Sequence, residues 1–389
     1  MSGSLFTRIK AVSPLKCLAL FSFLLLAPQI QAQGVAFDAS SSSNTGTGTA
    51  ATLTWSHTVG SSGVNRILIV GVSIRNASSQ TVSSVTYNGT NLTLVGQSTN
   101  STNARVEIWR LIAPATGAHN VVVTLSAAAR FAGGAASFTG VSQTASLALG
   151  VFFSAIGNTP TPTVSVTSVA QGQLVIDTIA NANLATGTAA PCAGTGQTQR
   201  WSDRTTNGTA GNNTPGAGST EPGPAGGGTV TMSWILQGCS GTTNRQWAMG
   251  AVTLKQGAVL TLNKSVSPVG TQQPGTDLAY TVTFTNSGDS TAQTVVITDP
   301  NPNNVIVTQR AFANVDYKLG SASISAPWNA TATIRFSNDG GATCVYTPSS
   351  GGGGAPPGYD RAVTNICWAL NTNVAVGASG TVSFISRIQ

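Results

Sequence analysis

The sequence predicts an all-β protein with two β-sandwich domains in tandem, a larger jelly-roll-like sandwich followed by a smaller one. Short runs rich in Val, Ile, Thr and aromatic residues recur along the 389 residues, and clusters of Gly, Ser and Asn bound them. No long segment shows the 3.6-residue periodicity of a helix. Only 7% of residues are charged although 41% are hydrophobic, so the surface must draw its polarity from neutral side chains.

The N-terminus has the pattern of a signal peptide. Three basic residues accompany an apolar run from Cys17 to Ala27, Pro28 ends that run, and Ala32 offers a small residue at a cleavage point. The run is too short to span a bilayer, and no later stretch is long and apolar enough to do so. We therefore predict a signal peptide over residues 1–32 and an exported chain that begins at Gln33 and has no membrane span.

The basic residues do not form a nucleic-acid-binding surface. The formal net charge is +7, but three of the basic residues belong to the predicted signal peptide. The others are scattered singly, without the stripe or run of Lys and Arg that binds a phosphate backbone. We predict no nucleic-acid partner.

Four cysteines remain once the signal peptide is removed. An even number of cysteines in an exported chain favours disulfides, and no CxxC spacing suggests zinc. We predict one bridge in each domain, Cys192–Cys239 in the first and Cys344–Cys367 in the second.

The first domain is predicted to cover residues 33–256. Its strand candidates are Leu53–Val59, Arg66–Ile74, Val82–Tyr87, Ala104–Leu111, His119–Leu125, Gly172–Ile179, Thr229–Leu236 and Gln246–Leu254. Asn88-Gly89 is a hairpin-type turn signal, because both residues tolerate positive φ. The segment from Ala185 to Gly228 is rich in Gly, Asn, Thr and Pro, with weak strand character near Gln197–Trp201. We expect a long surface loop there, closed by the first disulfide.

The second domain is predicted to cover residues 257–389. Tyr280, Val282 and Phe284 alternate with Thr281 and Thr283, which predicts an antiparallel strand with one buried face. Further strands are predicted at Thr294–Thr298, Thr331–Phe336, Asn365–Leu370 and Thr381–Ile385.

Three motifs in the second domain carry a family resemblance. Leu262–Pro268, Pro274–Asn286 and Val296–Pro300 resemble the conserved repeat domain of bacterial surface proteins, also called domain of unknown function eleven. The resemblance implies an immunoglobulin-like sandwich in an extracellular, often repetitive, surface protein. It brings no catalytic residues.

The first domain carries a vaguer likeness. Its segments Leu53–Val59, Asn65–Ile74, Val85–Gly89 and Trp109–Leu111 are similar to an uncharacterised β-sandwich module of secreted bacterial proteins. This likeness implies a fold only.

Residues for catalysis or metal binding are few. A Ser-His-Asp triad would need His57 or His119, and no supporting motif surrounds either. Glu107 and Asp177 could form the carboxylate pair of a glycosidase, but nothing in the sequence pairs them. Asp339, in an Asn-Asp-Gly-Gly segment, suggests a β-turn rather than a calcium loop. We predict no catalytic residue, no metal site and no cofactor.

Tryptophans offer the remaining candidate ligand contacts. Trp55, Trp109, Trp234 and Trp247 lie within apolar strands and are expected in or near the core. Trp201 and Trp328 are better candidates for exposure and for stacking on a sugar.

These observations support three hypotheses of function. The first is a secreted, non-catalytic protein of the cell surface or extracellular matrix, with a structural or adhesive role. Its partners would be surface or matrix components, polysaccharide and other surface proteins among them. The second is a lectin-like carbohydrate-binding protein, and the third, least supported, is a hydrolase.

Overall fold

The structure is a computed structural model. It describes residues 34–389 apart from 76–78, 102, 182–189, 207–212, 237–238, 242–243 and 301–314, so the predicted signal peptide lies outside the described residues. Contacts divide the chain into two compact units. The first unit contains residues 34–259 with Gly288–Ser290, and the second contains Leu260–Ser287 and Thr291–Gln389.

The first unit consists of antiparallel strands. The strands of its first half are β1 (Ala36–Asn44), β2 (Ala50–Val59), β3 (Ile67–Ile74), β4 (Val82–Tyr87), β5 (Thr90–Asn91), β6 (Thr93–Asn100), β7 (Ala104–Ile112), β8 (Gly117–Ala129) and β9 (Phe131–Thr139). Those of its second half are β10 (Phe153–Gly157), β11 (Thr163–Val169), β12 (Leu174–Asn181), β13 (Cys192–Ala193), β14 (Thr198–Arg204), β15 (Pro215–Pro222), β16 (Gly228–Ile235) and β17 (Trp247–Leu254).

The first half forms a jelly roll. One sheet has the order β1-β9-β3-β7-β6 and the other the order β2-β8-β4-β5, so that successive strands pass back and forth between two facing sheets. We call these inner sheet 1 and outer sheet 1. Asn88 and Gly89 turn the β4–β5 hairpin with φ of 48° and 73°, as their turn chemistry predicts.

The second half repeats the same topology. Its sheets have the orders β10-β17-β12-β15-β14, called inner sheet 2, and β11-β16-β13, called outer sheet 2. Each strand occupies the position of one strand in the first half. In chain order, β10 to β17 correspond to β1, β2, β3, β4, β6, β7, β8 and β9. Among the described strands, only β5 has no counterpart. A register shift recurs at the same place, between Leu94 and Gly96 in one half and between Gln199 and Trp201 in the other. The all-β and jelly-roll predictions are confirmed, and the larger sandwich is resolved into two.

The four sheets stack as layers, with the two inner sheets in contact. In β3, Leu68 and Val70 pack towards outer sheet 1, whereas Ile67 and Ile69 pack against Leu174 and other residues of inner sheet 2. In β12, likewise, alternate residues face the other inner sheet and outer sheet 2. Both strands are buried on both faces, so they are nearly continuous apolar runs.

The contacts between the inner sheets are reciprocal. Strand β7 contacts β17 and its counterpart β15 contacts β9, while β3 contacts its own counterpart β12. Gly71 and Thr178, at equivalent positions in β3 and β12, touch each other: a Cβ on Gly71 would lie 3.0 Å from Thr178 Cγ2. Such self-complementary contact is the pattern of a twofold interface, built here within one chain.

Several strands of the inner sheets were not predicted, among them β1, β10 and the glycine-containing β9 and β15. Strand β9 contains Gly133 and Gly134, and β15 contains Gly216 and Gly218. A Cβ on Gly133 would lie 2.8 Å from the Trp55 ring, and one on Gly134 or Gly218 would collide with Trp201. The expectation of a long loop over 185–228 is therefore wrong for β14 and β15, because the glycines of β15 make room for the indole of Trp201 in β14.

The second unit is a sandwich of two sheets. Its strands are β18 (Leu260–Ser267), β19 (Asp277–Asn286), β20 (Val296–Pro300), β21 (Val315–Lys318), β22 (Ser323–Ile324), β23 (Thr333–Ser337), β24 (Tyr359–Asp360), β25 (Asn365–Ala369) and β26 (Ser379–Ile388), with a 3₁₀ turn at Trp328–Ala330. The sheets have the orders β18-β19-β26-β21-β24 and β20-β25-β23. Tyr280, Val282 and Phe284 point into the core between them, as predicted.

Each unit contains one disulfide. Cys192 is bonded to Cys239 and Cys344 to Cys367, the pairing predicted from the sequence. Because Cys192 lies in β13 and Cys367 in β25, both bridges tie a strand of a sheet to a connecting segment.

Candidate functional site

His57 belongs to a buried polar network between β1, β2 and β9 of the first jelly roll. Its ring is 1% exposed and contacts Ser41 Oγ at 2.9 Å and Ser137 Oγ at 3.2 Å. Trp55 Nε1 donates to the same Ser41 oxygen. Burial lowers the pKa of His57 to about 4, against the opposing influence of Asp38.

This network has the wrong order for a hydrolase triad. Ser137 Oγ donates to Asp38 Oδ2 at 2.6 Å, so the serine stands between the carboxylate and the imidazole. In a catalytic triad the histidine stands between them and takes the proton of the serine. The same Asp38 oxygen accepts from the Gly60 amide. These bonds tie β1, β2 and β9 together, and the sequence offered no signal for them because the partners are far apart in the chain.

Asp177 is the buried carboxyl of the second jelly roll. It accepts hydrogen bonds from Trp234 Nε1 at 2.6 Å and from the amide and hydroxyl of Ser219, each at 2.8 Å. Burial raises its pKa to about 7, although these hydrogen bonds lower it. The bond to Trp234 links inner sheet 2 to outer sheet 2.

Glu107 and Asp177 do not form a catalytic pair. Glu107 accepts from Arg105 Nε at 2.7 Å and from Trp109 Nε1 at 3.2 Å, on the side of β7 that faces outer sheet 1. Asp177 points from β12 towards outer sheet 2. Because the two carboxyls point away from each other in separate cores, no cleft lies between them for a glycosidic bond.

Several charged groups of the second unit lie in ion pairs. Lys264 Nζ lies 2.6 Å from Asp299 Oδ1 and faces the ring of Tyr280. Burial raises the pKa of Asp299, and the nearby ammonium opposes this. Nearer the surface, Asp277 pairs with Lys318 and Arg387. These ion pairs join side chains of different strands, an arrangement that positions the strands.

Asp339 closes a turn, as predicted. Its carboxylate accepts from the Ser337 hydroxyl, the Thr343 amide and the Thr343 hydroxyl. These hydrogen bonds lower the pKa of Asp339 well below its usual range. Over the described residues, no group of three His, Cys, Asp or Glu side chains is placed to hold a metal ion.

The expected exposure of Trp201 and Trp328 is wrong. Trp201 is 5% exposed and Trp328 3% exposed. Trp201 covers glycines of β9 and β15, and Trp328 stands edge-on to Phe284 with its ring centroid 5.1 Å away. The other five tryptophans are also buried, as was expected for Trp55, Trp109, Trp234 and Trp247. The chain therefore offers no exposed indole on which a sugar could stack.

What the molecule does expose is a set of neutral, hydroxyl-bearing sheet faces. Over the described residues, no strand of outer sheets 1 and 2 contains a charged residue, and the charged residues in strands of the first unit lie in the inner sheets. The outward side chains of outer sheet 1 include Thr52, Thr54, Ser56, Thr58, Asn120 and Thr124.

Outer sheet 2 repeats this surface chemistry, and the second unit repeats it in part, with the ion pair Asp277–Arg387 at one end of the face. Thr163, Ser165, Thr229 and Thr231 point outward from β11 and β16, and Ser165 Oγ lies 3.0 Å from Thr231 Oγ1. In the second unit Thr281, Thr283, Thr381 and Ser383 point outward from β19 and β26. We call these surfaces face 1 (outer sheet 1), face 2 (outer sheet 2) and face 3 (β18-β19-β26).

The spacing of a β-sheet orders the hydroxyl groups on these faces. Same-side residues are roughly 6.6 Å apart along a strand, and neighbouring strands about 4.8 Å apart. Each face therefore presents regularly spaced hydrogen-bond donors and acceptors and carries no net charge. Among the described residues, no helix is long and apolar enough to cross a bilayer.

No protein-family model matches the chain, and no curated protein sequence matches it. One solved structure that it resembles is the atomic structure of Sulfolobus Turreted Icosahedral Virus, with 11% identity, 86% of this chain and 82% of that chain covered, and a TM-score of 0.18. Another is described as the triple jelly roll fold and turret assembly in an archaeal virus, with 10% identity, coverage of 91% and 89%, and a TM-score of 0.17. Likeness at these TM-scores carries no argument, and the jelly-roll assignment rests on the strand order alone.

Proposed function

We propose that the protein is a secreted, non-catalytic component of a bacterial cell surface or extracellular matrix, with a structural and adhesive role. It acts by presenting its neutral hydroxyl faces to uncharged polysaccharide. The observation that carries this proposal is the separation of charge in the first unit, where the strands of both exposed sheets are uncharged.

The composition of these faces favours a polar, uncharged partner. Protein–protein interfaces are enriched in exposed aromatic residues and Arg, which the outward positions of the outer sheets lack. An anionic partner would need basic side chains, which these strands also lack. Hydroxyl groups exchange hydrogen bonds with sugar hydroxyls in either direction, since each is both donor and acceptor.

Other features support export and a structural role. One disulfide in each unit suits an oxidising compartment. The resemblance to surface-repeat domains and the signal-peptide pattern favour the same location. The buried polar groups that a hydrolase would need are engaged in bonds between strands, and the buried tryptophans remove the stacking surface of the lectin alternative.

The test measures depletion of the purified mature chain by particles of cellulose, cross-linked dextran or anionic cross-linked alginate. We expect binding to a neutral particle that is insensitive to salt, because no charges are screened. The triple variant T54R/T231R/T283R, with one substitution on each face, should weaken this binding by about tenfold or more. The matched control V64R/V151R/V269R adds three charges at exposed positions outside the faces and should bind as wild type. Binding only to alginate, lost as salt increases, would show the proposal to be wrong.

A further inference from the structure

The duplication of the jelly roll has a consequence for binding. The two inner sheets cover each other, so outer sheets 1 and 2 are the terminal layers of the four-layer stack. Their outward faces therefore point in opposite directions. The reciprocal contacts of the inner sheets relate the two halves by an approximate twofold, which makes face 1 and face 2 equivalent surfaces.

The equivalence extends from backbone to chemistry. Strand β2 pairs with β8, and its counterpart β11 pairs with β16, the counterpart of β8. On face 1 the pair Ser56 and Asn120 points outward, and on face 2 the pair Ser165 and Thr231 does so. The strands of both sheets lack charged residues although the two sequences differ. The shared property of the two halves is thus an uncharged, hydrogen-bonding outer sheet.

We propose that the first unit is bivalent and that faces 1 and 2 each bind a neutral polysaccharide chain, so that one molecule bridges two polymers. This inference rests on the proposed function. A single face of hydroxyl groups binds weakly, because each hydrogen bond to sugar replaces one to water. Two opposed faces convert weak contacts into cross-links, since a polymer or particle engages many molecules at once.

The packing between the halves supports rigid bivalence. Ile67, Ile69, Leu174, Ile176 and Leu254 form a buried apolar core between the inner sheets. The Ser73 hydroxyl donates to the Ile179 carbonyl across the same interface at 2.8 Å. The two faces are thus held apart by a packed core, and cannot turn to the same side to bind one chain.

The experiment uses the full mature chain with face 3 blocked by Thr283→Arg, so that only the first unit can bridge. Two batches of cellulose particles, or of dextran particles if those bind better, carry different fluorescent labels. The parent protein should bind each batch and join the two into mixed aggregates. T54R/N120R blocks face 1, T163R/T231R blocks face 2, and V64R/V151R is the control with equal added charge.

We expect each single-face variant to keep binding at about half the capacity of the parent and to lose mixed aggregation, while the control retains both. Circular dichroism of each variant verifies the fold. The inference is overturned if single-face variants still form mixed aggregates like the parent, or if one variant loses all binding and the other none. A parent that binds no neutral particle would instead overturn the proposed function, so the two failures are distinguishable.

Discussion

Replacing Asp177 with Asn should reverse the pH dependence of stability of the first unit. Asp177 is fully buried, and its pKa is raised from 3.8 to about 7. At 1.36 kcal/mol per pKa unit, the shift corresponds to about 4 kcal/mol. A carboxyl with a raised pKa stabilises the fold most below pH 3.8, and this contribution is lost as pH rises to about 7.

His57 acts in the opposite direction. Its pKa falls from 6.5 in the unfolded chain to about 4 in the folded chain, which corresponds to about 3 kcal/mol. A histidine with a lowered pKa contributes fully above pH 6.5, and this contribution is lost as pH falls through about 4. In the wild-type protein the two effects oppose each other, so stability should change by only about 1 kcal/mol over this window.

Each variant should reveal the slope of the other group. Asp177→Asn should leave a protein whose free energy of unfolding rises by about 3 kcal/mol between pH 4 and 6.5, and His57→Gln one whose free energy falls by about 4 kcal/mol between pH 4 and 7. Urea unfolding followed by tryptophan fluorescence measures both. Subtracting the wild-type free energy of unfolding from that of each variant at every pH cancels the contributions of the other titrating groups. A difference between D177N and wild type that stays constant across pH 4–7 would refute the raised pKa and the reasoning from burial.

Two further predictions concern packing and cross-links. Gly71→Ala should destabilise the first unit by about 1–3 kcal/mol in urea unfolding, because its Cβ collides with Thr178, and adding Thr178→Ala should restore part of the loss. An unchanged midpoint for G71A would contradict the close contact of the inner sheets. The double variant C344A/C367A should lower the stability of the second unit by about 3 kcal/mol, from the chain entropy of a 23-residue loop. Equal urea midpoints for this variant and the oxidised wild type would count against that estimate.

Local sequence patterns were sufficient to predict strands in which apolar and polar side chains alternate, and strands that are apolar or β-branched throughout. Strand β19 was recognised because Tyr280, Val282 and Phe284 face one core while threonines face water. Strand β3 was recognised because its residues are apolar throughout. The β4–β5 turn followed from Asn88-Gly89, since both residues adopt positive φ there. The disulfides followed from the number of cysteines and their distribution between two domains.

The candidate functional surfaces could be anticipated only in part. The low charge of the sequence implied a neutral surface, and the threonines of β19 showed one such face. The charged residues in strands of the first unit lie in its inner sheets. This arrangement depends on which strands pair, and no local sequence pattern shows that. The exposure of Trp201 was misjudged because its neighbourhood in sequence is rich in glycine, whereas its neighbourhood in space is a pair of strands.

The sequence by itself determined the all-β class, most of the apolar strands and the cysteines available for each bridge. Only the tertiary structure decided that Gly- and Ala-rich segments are central strands, as in β9 and β15. Glycine has no intrinsic preference for a strand, but glycine is required at these positions because the rings of Trp55 and Trp201 occupy the space that a side chain would need. Tertiary structure also decided the pairing of two jelly rolls through their inner sheets, because burial of a strand on its second face depends on the partner that covers it.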